Sequence, residues 1–445
     1  MSGEVDADRS SVSEGPASYR RIASLALPAL VVLAAEPVYL LIDTAVVGHL
    51  GAVPLGGLAL GGTLMGLAPF IGAVLAYGTT ARAARRFGAG DRAGAVAEGV
   101  QGTWIALAAG LVMIVLVECF AGTLTAVMGD SPDVAAAAAQ WLRVAILGAP
   151  FLLVAGAGQG WMRAVQDTKR PMWFVSFSFL VSAALAPVLV YPAGLGLVGS
   201  AWANVVAQAL AGSLFLAALR RERASLRVDW ALMSRQLVAN RDLILRGSAF
   251  QISSFSATAV AARVGTAALG AHQIGMQLWF FAALALDAVA IAAQALVGAD
   301  LGAERPAAAR ASAKRVTWVG LGYGTLFLLL VLAALPLLPY LFTEDAAVHG
   351  QLSHVWPWLV VMLPLAGVVF ALDGVLIGAG DLRFMRNMTL IAIFSGLPLT
   401  WLTLVFGWGL TGIWAALAVS VAVRLALILW RMRSGAWAVT GAERA

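Results

Sequence analysis

The chain has 445 residues, of which 61% are hydrophobic and only 12% charged, and its formal net charge is +6. A soluble domain is roughly half apolar and about a quarter charged, so this composition excludes a soluble globular protein and indicates an integral membrane protein. The basic residues lie between apolar segments and not on one face, which argues against nucleic-acid binding. The single cysteine, Cys119, excludes an intramolecular disulfide and a cysteine-based zinc site.

Apolar segments of about 20 residues can cross a bilayer as helices, because a helix pairs all its backbone polar groups internally. The sequence contains twelve such segments, and we predict an all-α integral membrane protein with twelve transmembrane helices. The predicted spans are 22–48, 55–78, 98–120, 137–162, 172–193, 198–219, 245–264, 273–299, 315–337, 355–378, 388–408 and 411–431.

The distribution of positive charge predicts the orientation of these spans. If the N-terminus is cytoplasmic, the inner segments hold 26 of the 29 Arg and Lys residues and the outer loops hold none. The other three, Arg143, Arg263 and Arg424, lie inside or at the ends of spans. We therefore expect a multi-pass protein with both termini in the cytoplasm.

An internal repeat divides the chain into two copies. Six spans in each copy return the chain to its starting side, so we predict two six-helix lobes related by a parallel repeat, with a cleft between them. Two such lobes suit alternating access in a secondary transporter. A shift of 214 residues pairs Thr44-Ala45-Val46 with Thr258-Ala259-Val260, Pro150 with Pro364 and Gly160 with Gly374. The predicted parts are a disordered cytoplasmic tail (1–21), a first lobe (22–219), a basic cytoplasmic linker (220–244), a second lobe (245–437) and a C-terminal tail (438–445).

Five carboxylates fall within the predicted spans, where a charge costs several kcal/mol and marks a functional candidate. Glu118 lies near the outer end of its span, and we expect it to be solvated. No basic residue is predicted at the depth of the others, so we expect them to lack ion-pair partners. Such a group can carry a proton, hold Na⁺ or attract a cationic substrate, although a structural hydrogen bond between helices is the alternative for each. The remaining acids are Glu36, Asp43, Asp287 and Asp373.

Several polar or aromatic side chains are candidates to line the substrate cleft. Glu36 and Asp43 are seven residues apart and share a helix face, with Tyr39 between them and Pro37 able to bend the helix. Gln294 shares a face with Asp287 by the same spacing. The other candidates are Gln159, which is the counterpart of Asp373 in the repeat, and Trp279.

The remaining aromatic and histidine residues favour structural interpretations. Most tryptophans suit the aromatic belts at the membrane surfaces, and among them are Trp141, Trp401 and Trp430. All four histidines fall on the predicted outer side, where scattered surface positions are favoured over a metal site. They are His49, His272, His349 and His354.

The stretch Ile42–Gly51, with the sequence IDTAVVGHLG, resembles the first-span signature of the multidrug and toxic compound extrusion (MATE) family, in its DinF-like branch. The resemblance implies a bacterial inner-membrane antiporter that exports mostly cationic, amphipathic compounds against an H⁺ or Na⁺ gradient. It also implies that Asp43 couples to protons and that Asp287 and Asp373 bind a cation or substrate. Further matching segments are Asn240-Arg241-Asp242, Ala285-Leu286-Asp287, Leu372-Asp373-Gly374 and Arg431–Trp437.

One feature departs from this family pattern. Many relatives carry Asn and Asp on the fifth span as partners of the first-span acid, whereas this chain has Ser182 and Ala186 at the facing positions. The partner network of Asp43 is therefore weakened. Either Glu36 substitutes for it, or the coupling differs.

The leading hypothesis is a cation-coupled exporter whose partners are small organic molecules and the lipid bilayer, with no nucleic acid. It needs no cofactor beyond the coupling ion, H⁺ or Na⁺. Neither Lys169 nor Lys314 lies in a phosphate-binding loop, and no metal-binding catalytic motif occurs, so we do not expect an enzyme. A lipid-linked precursor flippase and an organic-anion exporter are the alternatives. The sequence leaves open the substrate, the coupling ion and the oligomeric state, although one chain with both lobes suffices in principle for function.

Overall fold

The computed structural model describes residues 17–129 and 131–442. Most of the predicted tail at 1–21 lies outside these residues, and the first helix begins at Tyr19. The first half of the chain contains α1 (Tyr19–Gly48), α2 (Ala52–Met65), α3 (Leu67–Gly88), α4 (Arg92–Met128), α5 (Pro132–Ala145), α6 (Ala149–Ala164), α7 (Lys169–Val190) and α8 (Gly196–Arg221).

The second half is built in the same way, and the described residues contain no β-strand. Its helices are α9 (Trp230–Val264), α10 (Thr266–Gly302), α11 (Pro306–Ala334), α12 (Leu338–Phe342), α13 (Ala346–Leu352), α14 (Trp356–Gly378), α15 (Leu382–Phe406) and α16 (Gly409–Ser434).

Eleven helical segments among the described residues are long and apolar enough to cross a membrane. They correspond to eleven of the twelve predicted spans. Helices α2 and α3 form one of these segments, and α5 and α6 form another. The seventh predicted span, 245–264, forms the C-terminal part of α9 and does not reach this apolarity. This part of α9 carries Gln251, Arg263 and four serines, which lower its mean hydropathy.

The chain folds into two compact units. The first lobe consists of Leu27–Phe87 and Asp91–Asn240. The second lobe consists of the described residues up to Ala26, Gly88–Gly90 and the chain from Arg241 onward. The chain therefore changes lobe inside α1, on either side of Gly88–Gly90, and again inside α9. The basic segment 220–244 is only partly a loop, because α9 begins at Trp230.

Each lobe contains the same close helix contact. In the first lobe, a Cβ atom placed on Gly160 would lie 2.6 Å from the carbonyl oxygen of Ala76. In the second lobe, a Cβ on Gly374 would overlap the carbonyl oxygen of Ala290. Gly374 follows Gly160 by 214 positions, and Ala290 follows Ala76 by the same number. Glycine lets the two backbones approach, as small residues do between transmembrane helices.

Candidate functional site

The first polar cluster surrounds Asp43 on α1, whose residue is only 1% exposed. The Ser200 hydroxyl, on α8, donates a hydrogen bond of 2.9 Å to Oδ2 of Asp43. The Trp141 indole N–H, on α5, donates in turn to the Ser200 hydroxyl at 3.3 Å. Oδ1 of Asp43 has no hydrogen-bond partner among the described residues. A buried carboxylate with one donor and no basic partner is costly when ionised, so a proton or a small cation binds it favourably.

The prediction that Trp141 belongs to an aromatic belt at the membrane surface is wrong, because this side chain is buried in the first lobe. Its indole N–H needs a partner when buried and finds one in Ser200. Trp401 and Trp430 are exposed. The exposure of these two side chains fits the predicted belts.

Tyr39 and Glu36 precede Asp43 on α1. Tyr39 is buried, and its ring stacks on Phe179 of α7 with 5.3 Å between the ring centroids. The Tyr39 hydroxyl faces the Ser182 hydroxyl, which lies on the same helix as Phe179. Glu36 is accessible to solvent as a whole residue, although protein atoms surround its carboxyl group closely. The structure thus places Tyr39 in the buried environment of Asp43 and Glu36 at an accessible position on the same helix.

The fifth span supplies no hydrogen-bond partner to Asp43. Ser182 and Ala186 on α7 are both buried, and the Ser182 hydroxyl faces the hydroxyl of Tyr39. Among the described residues, the only hydrogen bond to the Asp43 side chain comes from Ser200 of α8. Ser200 and Trp141 are therefore the residues of this first cluster that sequence reasoning missed.

The second polar cluster surrounds Asp373 on α14. Oδ2 of Asp373 accepts a hydrogen bond of 2.6 Å from Nη2 of Arg246 on α9 and another from Nη2 of Arg424 on α16. The side chain of Arg246 is 14% exposed, that of Arg424 is 9% exposed and that of Asp373 is 6% exposed. Oδ1 of Asp373 has no partner among the described residues. The expectation that Asp373 lacks an ion-pair partner is wrong.

An aromatic ring completes this cluster. The guanidinium carbon of Arg424 lies 4.8 Å from the ring centroid of Phe250, and that of Arg246 lies 5.2 Å from the same centroid. Both distances suit cation–π attraction. The two cations therefore share one carboxylate oxygen and one aromatic ring.

Asp287 and Gln294 lie on α10 of the same lobe. Asp287 is half-buried. Gln294 is fully buried, and neither its amide nitrogen nor its amide oxygen has a hydrogen-bond partner in the part of the chain that the structure describes. Helix α14 approaches the backbone of α10 at Gly374 and Gly378, so the helices that carry Asp287 and Asp373 pack side by side. A buried amide without partners costs about 1–3 kcal/mol, and a bound ligand would recover that cost.

The other two cleft candidates have structural contacts. Gln159 on α6 is half-buried, and its Oε1 accepts a hydrogen bond of 2.5 Å from Arg163 one turn later. Trp279 on α10 is partly buried and packs against the hydrophobic cluster of the second lobe that includes Trp414 and Leu359.

The two polar clusters occupy different positions of the repeat. At the shift of 214, the counterparts of Asp43 and Trp141 in the second lobe are Ala257 and Val355, and those of Arg246 and Asp373 in the first lobe are Val32 and Gln159. The last span of each lobe follows a shift of 213, which aligns Gly196-Leu197 with Gly409-Leu410, so Ser200 pairs with Ile413 and Arg424 with Ala211. Ala257, Val355 and Ile413 are all buried in one hydrophobic cluster. Each of these two clusters thus lies where the other lobe has mostly apolar packing.

The histidines differ from expectation at one position. His272 is fully buried, within 3.5 Å of the Thr258 hydroxyl and edge-to-face with Trp414 at 5.9 Å. The expected surface position of His272 is wrong, because the first turns of α10 pack against the hydrophobic cluster of the second lobe that contains Ala271 and Trp414. Among the described residues, no group of three or more His, Cys, Asp or Glu side chains is placed to hold a metal ion.

The sequence model of the MatE family matches this chain twice, over residues 28–188 and 243–402. The starts and the ends of the two matches differ by the predicted repeat shift of 214 residues to within one residue. The chain is 31% identical to DNA damage-inducible protein F of Escherichia coli, over 93% of this chain and 92% of that protein. It is 30% identical to Protein DETOXIFICATION 44, chloroplastic, of Arabidopsis thaliana, over 94% of this chain and 83% of that protein.

A solved structure shares the fold. The crystal structure of a MATE protein in its bent conformation superposes with a TM-score of 0.88, covering 98% of each chain at 20% sequence identity. Such MATE structures have twelve transmembrane helices in two lobes, so α9 provides the twelfth span here. The predicted all-α, two-lobe fold is confirmed. The chain belongs to the MATE family of multidrug transporters, is of the DinF-like type, and is a multi-pass membrane protein.

Proposed function

We propose that this transporter is an antiporter, which exports small organic, mostly cationic and amphipathic compounds in exchange for H⁺ or Na⁺ by alternating access of its two lobes. It works in the inner membrane of a bacterial cell with both termini in the cytoplasm. One chain is sufficient, because it contains both lobes. The gradient of the coupling ion supplies the energy, and the chain catalyses no chemical reaction.

The observation that carries this proposal is the environment of Asp43. The carboxylate is buried, receives one hydrogen bond and has no basic partner among the described residues. Its ionised form is therefore unstable unless a positive species neutralises it. A proton or Na⁺ can do so in one stage of the cycle, and an organic cation can do so in another. Competition for one carboxylate is the simplest way to couple the two movements.

The second lobe has a different task in this proposal. Asp373 is already neutralised by two guanidinium groups, so it is less suited than Asp43 to exchange one cation for another. Asp287 and the unpartnered amide of Gln294 offer oxygen atoms for the coupling ion or for substrate. We therefore assign coupling chiefly to Asp43, with Asp287 and Asp373 as cation or substrate groups of the second lobe.

The test is transport by purified protein in liposomes loaded with rhodamine 123, a fluorescent organic cation. A pH gradient and a Na⁺ gradient are imposed in separate experiments, and protein-free liposomes serve as the control. The proposal predicts dye movement driven by one of the two gradients. If neither gradient moves the dye faster than in protein-free liposomes, the proposed cation export is wrong.

A specific observation also supports a second candidate, export of organic anions. Arg246, Arg424 and Asp373 together carry one net positive charge, and Phe250 adds a flat aromatic surface. Guanidinium groups bind carboxylates with directional hydrogen bonds. Rhodamine 110 is the free carboxylic acid of which rhodamine 123 is the methyl ester, so it adds one carboxylate to the same cationic ring system and is a zwitterion. Faster transport of rhodamine 110 than of rhodamine 123, lost in Arg424→Met, would indicate recognition of the carboxylate and favour this candidate over cation export.

A further inference from the structure

The segment that links the two halves of the chain is held in a fixed position against α4. The Trp104 indole N–H donates to the carbonyl oxygen of Leu226 at 3.0 Å. The Gln101 amide N–H donates to the carbonyl oxygen of Arg227 at 3.0 Å, and the Asp229 backbone N–H donates to the Gln101 amide oxygen at 3.0 Å. Two side chains of α4 thus hold the linker backbone at Leu226, Arg227 and Asp229.

This linker displays positive charge. Arg220, Arg221, Arg223 and Arg227 are exposed, and none of them has an ion-pair partner among the described residues. The acids nearby are already engaged. Glu222 pairs with Arg92 of α4 at 3.0 Å, and Oδ1 of Asp229 accepts hydrogen bonds from the first backbone N–H groups of α9. The four guanidinium groups therefore receive no counter-charge from the part of the chain that the structure describes.

Large apolar side chains are interleaved with these arginines. Leu226, Val228 and Trp230 are 46%, 40% and 76% exposed. Trp104, which is also exposed, lies near the inner end of the predicted span 98–120, and its bond to Leu226 places the linker at the edge of the apolar region. Aliphatic and Trp side chains mixed with arginine are typical of protein surfaces that lie at the boundary between headgroups and acyl chains.

We propose that the linker surface, Arg220–Trp230 together with Trp104, is a binding site for anionic phospholipid headgroups. The arginines contact the phosphate groups while Leu226, Val228 and Trp230 enter the upper acyl region. The backbone bonds from Gln101 and Trp104 hold these side chains in place before a lipid arrives, which reduces the entropy lost on binding. The site depends on charge and exposure within the first lobe and not on the proposed transport function.

The test measures phospholipid binding to the full-length protein in detergent by native mass spectrometry, with phosphatidylglycerol and phosphatidylcholine as probes. The test variant replaces Arg220, Arg221, Arg223 and Arg227 by Gln. A matched control removes four exposed cations elsewhere that have no ion-pair partner among the described residues, by replacing Arg310, Lys314, Arg383 and Arg433 with Gln.

Wild type and control are expected to prefer phosphatidylglycerol. One arginine near an anionic surface contributes about fivefold in affinity at low salt, so the test variant is expected to lose roughly tenfold or more after screening. Equal losses in the test and control variants would mean that only total charge matters, and the proposal would be overturned. Full competition by inorganic phosphate would also overturn it, because the apolar contacts would then contribute nothing.

Two further variants separate a binding defect from a folding defect. Replacing the same four arginines by lysine keeps the charge and should retain most of the preference for phosphatidylglycerol. Trp230→Gln should weaken phosphatidylglycerol binding while its exposed position leaves the folded protein intact, as judged by size-exclusion chromatography and thermal unfolding. If Trp230→Gln binds phosphatidylglycerol as wild type does, the tryptophan lies outside the site and the interfacial arrangement is wrong.

Discussion

Arg424→Met tests the buried cluster in the second lobe. Arg424 donates to Asp373 and lies over Phe250 at 4.8 Å, and both charged side chains are more than nine-tenths buried. The substitution removes a charge-assisted hydrogen bond worth about 1.5–3 kcal/mol. It also removes a cation–π contact worth about 1 kcal/mol, while Arg246 still neutralises the carboxylate. We expect the free energy of unfolding to fall by about 2.5–4 kcal/mol.

Asp373→Asn should cost more, about 3–5 kcal/mol, because it leaves two buried guanidinium groups without a negative partner. The double variant with Arg424→Met should be less destabilised than the sum of the single variants by about 1.5–3 kcal/mol. The assay is unfolding of the purified protein in mixed micelles by increasing fractions of denaturing detergent. Arg383→Met removes an exposed arginine on α15 and is the control, expected within about 0.5 kcal/mol of wild type. The interpretation of this cluster would be wrong if Arg424→Met or Asp373→Asn lowered the free energy of unfolding by less than about 0.5 kcal/mol. It would also be wrong if the loss in the double variant equalled the sum of the two single losses.

The helix contacts and the Asp43 network give two more predictions. Gly160→Ala and Gly374→Ala should each lower stability by at least about 1 kcal/mol, measured by thermal unfolding, because the added methyl group meets a backbone carbonyl. Gly122→Ala meets open space and should not destabilise, so equal losses would contradict the packing argument. Trp141→Phe removes the donor to Ser200 and should cost about 0.5–1.5 kcal/mol beyond its packing effect. The same substitution made in a Ser200→Ala background measures the packing effect alone. If Trp141→Phe costs no more in the wild-type background than in that one, the hydrogen bond is not stabilising.

The sequence predicts the lobes and the repeat well because both depend on short-range patterns. Apolar length identifies the spans, and the 214-residue shift pairs Gly160 with Gly374, which make the same helix contact in the two lobes. The seventh span is the weakest of the twelve by apolarity, since α9 carries serines and Arg263. Its place in the fold follows from the repeat and from the solved relatives, and not from its composition alone.

The polar clusters are harder to predict, because they depend on which helices meet. Arg246 lies at the inner end of its predicted span, where an arginine is expected to determine topology. In the structure, its Nη2 instead donates to Oδ2 of Asp373 at 2.6 Å. Arg424 lies within the last span, and its intramembrane position is the signal that could have indicated a buried partner. Ser200 and Trp141 carry no such signal, since serine is tolerated in any span and tryptophan favours the membrane surface.

In the proposed antiport cycle, a coupling ion and an organic cation use Asp43 in turn. The most direct measurement compares gradient-driven rhodamine 123 transport in liposomes for wild type, Asp43→Asn and Asp133→Asn, at matched protein content. Asp133 is an exposed acid in the first turn of α5 and provides the control. The account predicts that Asp43→Asn abolishes transport driven by either gradient, while Asp133→Asn transports as wild type does. Gradient-driven transport at the wild-type rate in Asp43→Asn would contradict it.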